Sequence, residues 1–149
     1  MKISKKEQQS IRLVMRLAQQ KGQMTLPELA RSEHLSQALV AKVMGRLKRG
    51  GLVSVSRGRT GGYALVEQPE SLPLSAILRA VGGPLVRGCF NSGYETADNP
   101  CPHVSDCGLR PVWEYLQEKV TTVFDQVTLA DLLQSERDVR ALISRIRKE

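Results

Sequence analysis

Residues 25–66 carry a succession of start, stop and turn signals that few folds accommodate. Thr25 can cap a helix, Pro27 falls in the first turn where a missing N–H costs nothing, and Glu28 can answer the cap three residues on. This short helix is expected to end near Ser32. After a turn, Ser36 caps a longer helix over 37–49, with Leu39, Val40, Val43, Met44 and Leu47 at core spacing and Gly50-Gly51 as its stop. Two strand-like stretches, 52–56 and 63–66, flank Arg57-Gly58-Arg59-Thr60-Gly61-Gly62, a glycine-rich hairpin tip with two arginines. Ahead of these, residues 5–20 read as a helix with Ile11, Val14, Met15 and Ala18 on one face and Gly22 as its end. Helix, short helix, longer helix and basic-tipped hairpin is the order of a winged helix-turn-helix. The expected class is mainly α with a small β wing and a long helix to follow.

Charge follows the same division. The net charge is +7, but residues 1–66 hold 13 Lys and Arg against 3 Asp and Glu, a net +10, while residues 67–149 hold 9 against 12, a net −3. A basic first half suits a polyanion, with a different task attached behind it. A helix that enters a major groove needs short or polar side chains facing outward from its N-terminal end, and Gln37, Ala38, Ala41 and Lys42 meet that need. Gln37 can pair with an adenine edge, and the alanines can meet thymine methyls. Ser36 at the helix start, and Arg46, Lys48 and Arg49 toward its end, fall where phosphates run. Arg57 and Arg59 stand where a wing would reach a minor groove. Double-stranded DNA is the expected partner.

A further helix over 75–81 is closed by Gly82-Gly83-Pro84, and the segment 84–111 is rich in glycine and proline and holds all three cysteines. Such a stretch buries too little surface to order itself without an ion, a cofactor or a partner. Cys89, Cys101 and Cys107 are separated by 11 and 5 residues, without the paired spacing of common zinc ribbons. Thiolates select zinc, copper(I) or iron–sulfur clusters, and the same residues would serve a metal-free thiol switch. Beyond them, Leu109, Trp113, Leu116, Val120, Val123 and Val127 alternate at intervals of four and three, a heptad seam with Pro111 in its first turn and Val112 and Phe124 beside it. That stripe is wider than a winged domain can cover, which implies a homodimer. Thr128 caps a short helix through Asp131, and Ser135 starts the last one, with Val139, Leu142, Ile143 and Ile146 expected on its buried side.

The chain resembles the IscR/NsrR-type winged-helix transcription regulators along almost its whole length. The resemblance lies in Met1-Lys2-Ile3-Ser4, Arg46-Leu47-Lys48-Arg49-Gly50-Gly51-Leu52-Val53, the wing Arg57 to Tyr63, Ile77-Leu78-Arg79-Ala80-Val81-Gly82-Gly83, the three cysteines, Val112-Trp113 and Thr128-Leu129-Ala130-Asp131-Leu132. It implies that the long helix forms the dimer, that Arg57 probes a minor groove, and that Cys89, Cys101 and Cys107 hold a [2Fe–2S] or [4Fe–4S] cluster whose state switches DNA binding. The chain departs from the family in its long first cysteine gap. Arg110 stands where one branch has a histidine ligand, and Gln8 where another has an aspartate. Glu7 and His103 are the nearest candidates for a fourth ligand. Ala41 replaces a recognition-helix glutamate of one branch, so promoter preference does not carry over.

These readings combine into a DNA-binding repressor, sensing redox state, nitric oxide or iron–sulfur status. Its expected organisation is a winged domain over 1–83, a cluster-binding loop over 84–111 and a dimerisation region over 112–149. The alternatives are a metal-free thiol-redox regulator and a zinc-stabilised protein-binding adaptor. No paired catalytic carboxylates, Ser/His/Asp set or phosphate-binding loop points to an enzyme. No run nears the ~18 apolar residues of a membrane span and the first residues are too polar for a signal peptide, so a cytoplasmic protein is expected.

Overall fold

The structure is a computed structural model that describes residues 3–20, 22–58, 61–82, 102–103 and 105–147. Arg59, Cys89 and Cys101 lie outside the described residues. The elements are α1 (Lys5–Gln19), α2 (Leu26–Ser32), α3 (Gln37–Arg49), β1 (Val53–Ser56), β2 (Gly62–Leu65), a 3-10 turn (Pro69–Ser71), α4 (Leu74–Gly82), α5 (Arg110–Asp125), α6 (Leu129–Leu132) and α7 (Glu136–Ile146).

Local chemistry sets most of these boundaries. Ser4 and Glu7, Thr25 and Glu28, and Thr128 and Asp131 each form a reciprocal capping box at the start of α1, α2 and α6. Ser36 and Ser135 cap α3 and α7. At the end of α3 it is Gly51, with φ +75°, that takes the left-handed turn, while Gly50 stays at φ −76°. β1 and β2 pair antiparallel with Val53 opposite Leu65 and Ser56 opposite Gly62.

The main core is an apolar cluster in which α1, α3 and α4 each bury a helical stripe. Leu13, Val14 and Leu17 of α1 meet Val40, Val43, Met44 and Leu47 of α3 and Ile77 and Val81 of α4. Of the four residues that the periodicity puts on one face of α1, Val14 is fully buried, while Ile11, Met15 and Ala18 are half-buried. The last three lie at the margin of the cluster, because Leu13, Val14 and Leu17 fill the buried side of the helix. Leu129 of α6, far along the chain, is fully buried in this same cluster.

The start of α4 is stitched to the chain after α5. Leu74 N–H donates to the Val127 carbonyl at 2.8 Å, Leu129 N–H donates to the Leu72 carbonyl at 2.8 Å, and the Ser75 hydroxyl donates to the Asp125 carboxylate. α5 stops before Val127, which turns inward with Leu74 and Leu78, so the expected heptad seam loses its last member to a second small cluster. Phe124, Leu142 and Ile146 pack against that cluster, whereas Ile143, expected on the buried side of α7, is 43% exposed.

Candidate nucleic-acid interface

The helix-turn-helix is held rigidly from behind. Glu33, buried at the end of α2, accepts from Arg12 Nε at 2.9 Å and Arg16 Nε at 3.2 Å, and its carbonyl accepts from Arg12 Nη2 at 3.3 Å. The turn to α3 passes through His34, exposed at φ +53°, and closes with Leu35 N–H donating to the Ala30 carbonyl at 2.9 Å. α3 then presents Gln37, Ala38, Ala41 and Lys42 on an exposed face, with Lys48 and Arg49 exposed near its end. Ser36 is exposed at the helix start, and its hydroxyl accepts the Leu39 N–H at 3.3 Å.

The wing is anchored at its base. Met24 and Tyr63 exchange two backbone hydrogen bonds, 3.0 and 2.7 Å long, so residue 24 adds a third rung beside the hairpin. A Cβ at Gly62 would lie 2.7 Å from the Met24 carbonyl oxygen, which is why the approach needs glycine. Ser56 donates to Gln23 Oε1 at 2.5 Å and accepts the Gly62 N–H at 3.3 Å. Arg57 is exposed beside Gly58, whose φ of +116° turns the chain at the tip. Sequence reasoning found the arginines but not this Gln23–Met24 anchor, because nothing in a short loop after α1 signals a cross-chain rung.

One basic residue of α3 is turned elsewhere. Arg46 Nη1 donates to the Val81 carbonyl of α4 at 2.7 Å, so its guanidinium faces the neighbouring helix and not the open face expected for a phosphate contact.

Of the candidate thiol site, Cys107 lies within the described residues. It is half-buried with a free thiol, and its carbonyl accepts the Arg110 N–H at 3.1 Å in the turn that opens α5. His103 is exposed. Glu7 is buried, accepts the Ser4 N–H at 2.6 Å and packs against Gly82, so capping and helix contact already engage its carboxylate. Among the described residues no three His, Cys, Asp or Glu side chains converge on a metal-sized site. The available donor set is three thiols in one segment, a soft set that fits an iron–sulfur cluster or zinc.

α5 divides its apolar residues between two faces. Trp113, Val120 and Phe124 are half-buried, while Leu109, Val112, Leu116 and Val123 are exposed, the first two by 50%. No residue of this helix is fully buried. No helix among the described residues is long and apolar enough to cross a membrane.

Comparison with known proteins agrees with this geometry. The pattern of the Rrf2 family, described as "Iron-dependent Transcriptional regulator", matches residues 3–135. The HTH-type transcriptional regulator NsrR of Halalkalibacterium halodurans is 31% identical over 137 residues, covering 90% of this chain and 91% of the relative. The solved structure of T. potens IscR superposes with a TM-score of 0.68 at 27% identity, covering 89% of this chain and 86% of that one. An oxidized form of Staphylococcus aureus CymR superposes with a TM-score of 0.66 at 26% identity, covering 91% and 98%.

Proposed function

Because the chain belongs to the Rrf2 family of transcriptional regulators, we propose that it is a homodimeric repressor whose grip on DNA is switched by an iron–sulfur cluster on Cys89, Cys101 and Cys107. Family membership makes it a regulator and not an enzyme, and favours DNA over an acidic protein as the partner of its basic half. The observation that carries the reading is the exposed face of α3 beside the Arg57 wing, in a chain whose long helix leaves Leu109, Val112, Leu116 and Val123 uncovered.

In this reading a second copy covers that stripe of α5 and sets two winged domains on successive major grooves, about 34 Å apart on a pseudo-palindrome. Gln37, Ala38, Ala41 and Lys42 read base edges. Ser36 and Arg49 hold phosphates, and Arg57 and Arg59 enter the minor groove. The cysteine segment joins α4 to α5, so its order bears on the angle between the winged domain and the dimer helix. A bound cluster supplies a centre that oxidants or nitric oxide can alter, at which three thiolates are tied together or released. His103 and Glu7 are the residues of this chain that could complete the ligand set. A cytoplasmic location follows from the same reading.

A second reading rests on the likeness to a regulator solved in an oxidized form: thiol oxidation alone, with no metal, does the switching. Iron and acid-labile sulfide analysis after anaerobic purification separates the two. The cluster reading expects brown protein whose colour Cys101→Ala abolishes, with operator affinity changed about 5–150-fold and the winged domain still folded. Iron-free protein whose DNA binding responds to oxidant supports the thiol reading. Identical binding under reducing and oxidising conditions rejects both.

A further inference from the structure

α3 carries four basic residues, and three of them, Lys42, Lys48 and Arg49, are exposed. Arg46 is different, with a guanidinium that donates to the Val81 carbonyl at 2.7 Å. That carbonyl lies in the last turn of α4, where helix geometry leaves oxygens without intrahelical partners and the dipole favours a cation. Two further contacts converge on the same turn. A Cβ at Gly50, just past α3, would lie 2.8 Å from Ala80 Cβ, so the two helices approach to a distance that only glycine permits. On the other side the Glu7 carboxylate of α1 sits against Gly82. The opposite end of α4 is bonded to the last residue of α5 through Ser75 and Asp125, and to the chain just beyond it through Leu74 and Val127. α4 is thus a strut between the helix with the uncovered apolar face and the helix that reads DNA.

We infer that Arg46 is a positioning residue for DNA recognition, not a phosphate contact: by locking the last turn of α3 onto the last turn of α4 it fixes the angle at which Gln37, Ala38, Ala41 and Lys42 meet the groove. The chain runs from Gly82 directly into the cysteine-bearing segment. Given the switch proposed above, on which this point rests, the same bond is where a change in that segment reaches α3.

The test uses the full chain and two probes. One is a duplex that the wild-type protein selects from a random-sequence pool, and the other is a mixed-sequence duplex of equal length. Arg46→Met keeps an apolar stem without the donor, and Arg46→Lys restores a donor. Arg46→Met is expected to weaken binding to the selected duplex about 10-fold or more, the scale of losing a hydrogen bond from a charged group. Binding to the mixed-sequence duplex and the salt slope should stay unchanged, and Arg46→Lys should recover most of the loss. Parallel weakening on both duplexes, with the salt slope reduced by about one, makes Arg46 a phosphate contact and overturns the inference. Guanidinium NMR of the wild-type protein decides the point even if Arg46→Met does not fold: an Nη signal unchanged on adding the selected duplex supports positioning, and one that shifts to a phosphate-bound environment overturns it. Wild-type binding that is alike with thiols reduced and oxidised defeats the switch and its transmission through Arg46. The salt slope and the two-duplex ratio still decide what Arg46 does.

Discussion

At Gly62 a Cβ would lie 2.7 Å from the backbone oxygen of Met24, and at Gly50 one would lie 2.8 Å from Ala80 Cβ. Neither clash can be relieved by rotating a side chain, so the backbone itself must move. Gly62→Ala and Gly50→Ala are each expected to cost about 1–3 kcal/mol in denaturant unfolding. Ala80→Gly should restore stability to Gly50→Ala but not to Gly62→Ala. Glu28 offers a pH readout, since the Thr25 N–H and hydroxyl, with help from Arg31, hold its carboxyl below the ordinary range. Its folded pKa is lowered, so its contribution is present above the unfolded value of about 4.3 and fades as pH falls through the folded one. Glu28→Gln should therefore flatten the acid limb of a plot of Tm against pH, and an unchanged limb would show that the capping box carries no pH-dependent stability. These contacts were half legible. The Thr25–Glu28 box spans three residues and shows in the sequence, while the glycine approaches depend on atoms 30 or more positions away.

Helix starts illustrate the same contrast among the elements. Ser36 caps α3 through a hydrogen bond to Leu39 N–H, and Ser36→Ala should cost about 1 kcal/mol in unfolding free energy. For α5 the alternating intervals announced an apolar stripe but not its division. Trp113, Val120 and Phe124 turn toward the chain's own fold, and Leu109, Val112, Leu116 and Val123 face out. Leu116→Asp tests the outward face. Sedimentation should show a monomer, and thermal stability should fall and lose its dependence on protein concentration, because the stabilisation from association is gone. Affinity for a two-half-site duplex should fall by ~10²-fold or more as the paired contacts are lost. A Leu116→Asp protein that remained a dimer would place the interface elsewhere.

For the molecule as a whole, the net +10 of residues 1–66 is concentrated on the part that carries α3 and the wing. A pair of such modules neutralising 6–10 phosphates should lose about 10³–10⁵ in affinity between 50 and 200 mM salt, measurable by anisotropy titration on a labelled duplex. A flat salt response would mean that the basic face meets few phosphates. The main core also crosses the expected domain boundary: Leu129, from beyond the cysteine segment, is fully buried in the cluster that α1, α3 and α4 build. Leu129→Ala should consequently destabilise the winged domain itself, by about 2–5 kcal/mol.

The sequence alone determined the order of elements, their caps and stops, the basic tip of the wing and the grouping of thiols, because each of these is written in residues within a few positions of one another. Tertiary structure decided which way Arg46 points, which half of the α5 stripe stays uncovered, and that α6 completes the first core. Those outcomes turn on how helices distant in the chain are set against each other, and a side chain's direction follows from the nearest available partner, here the Val81 carbonyl at the end of α4.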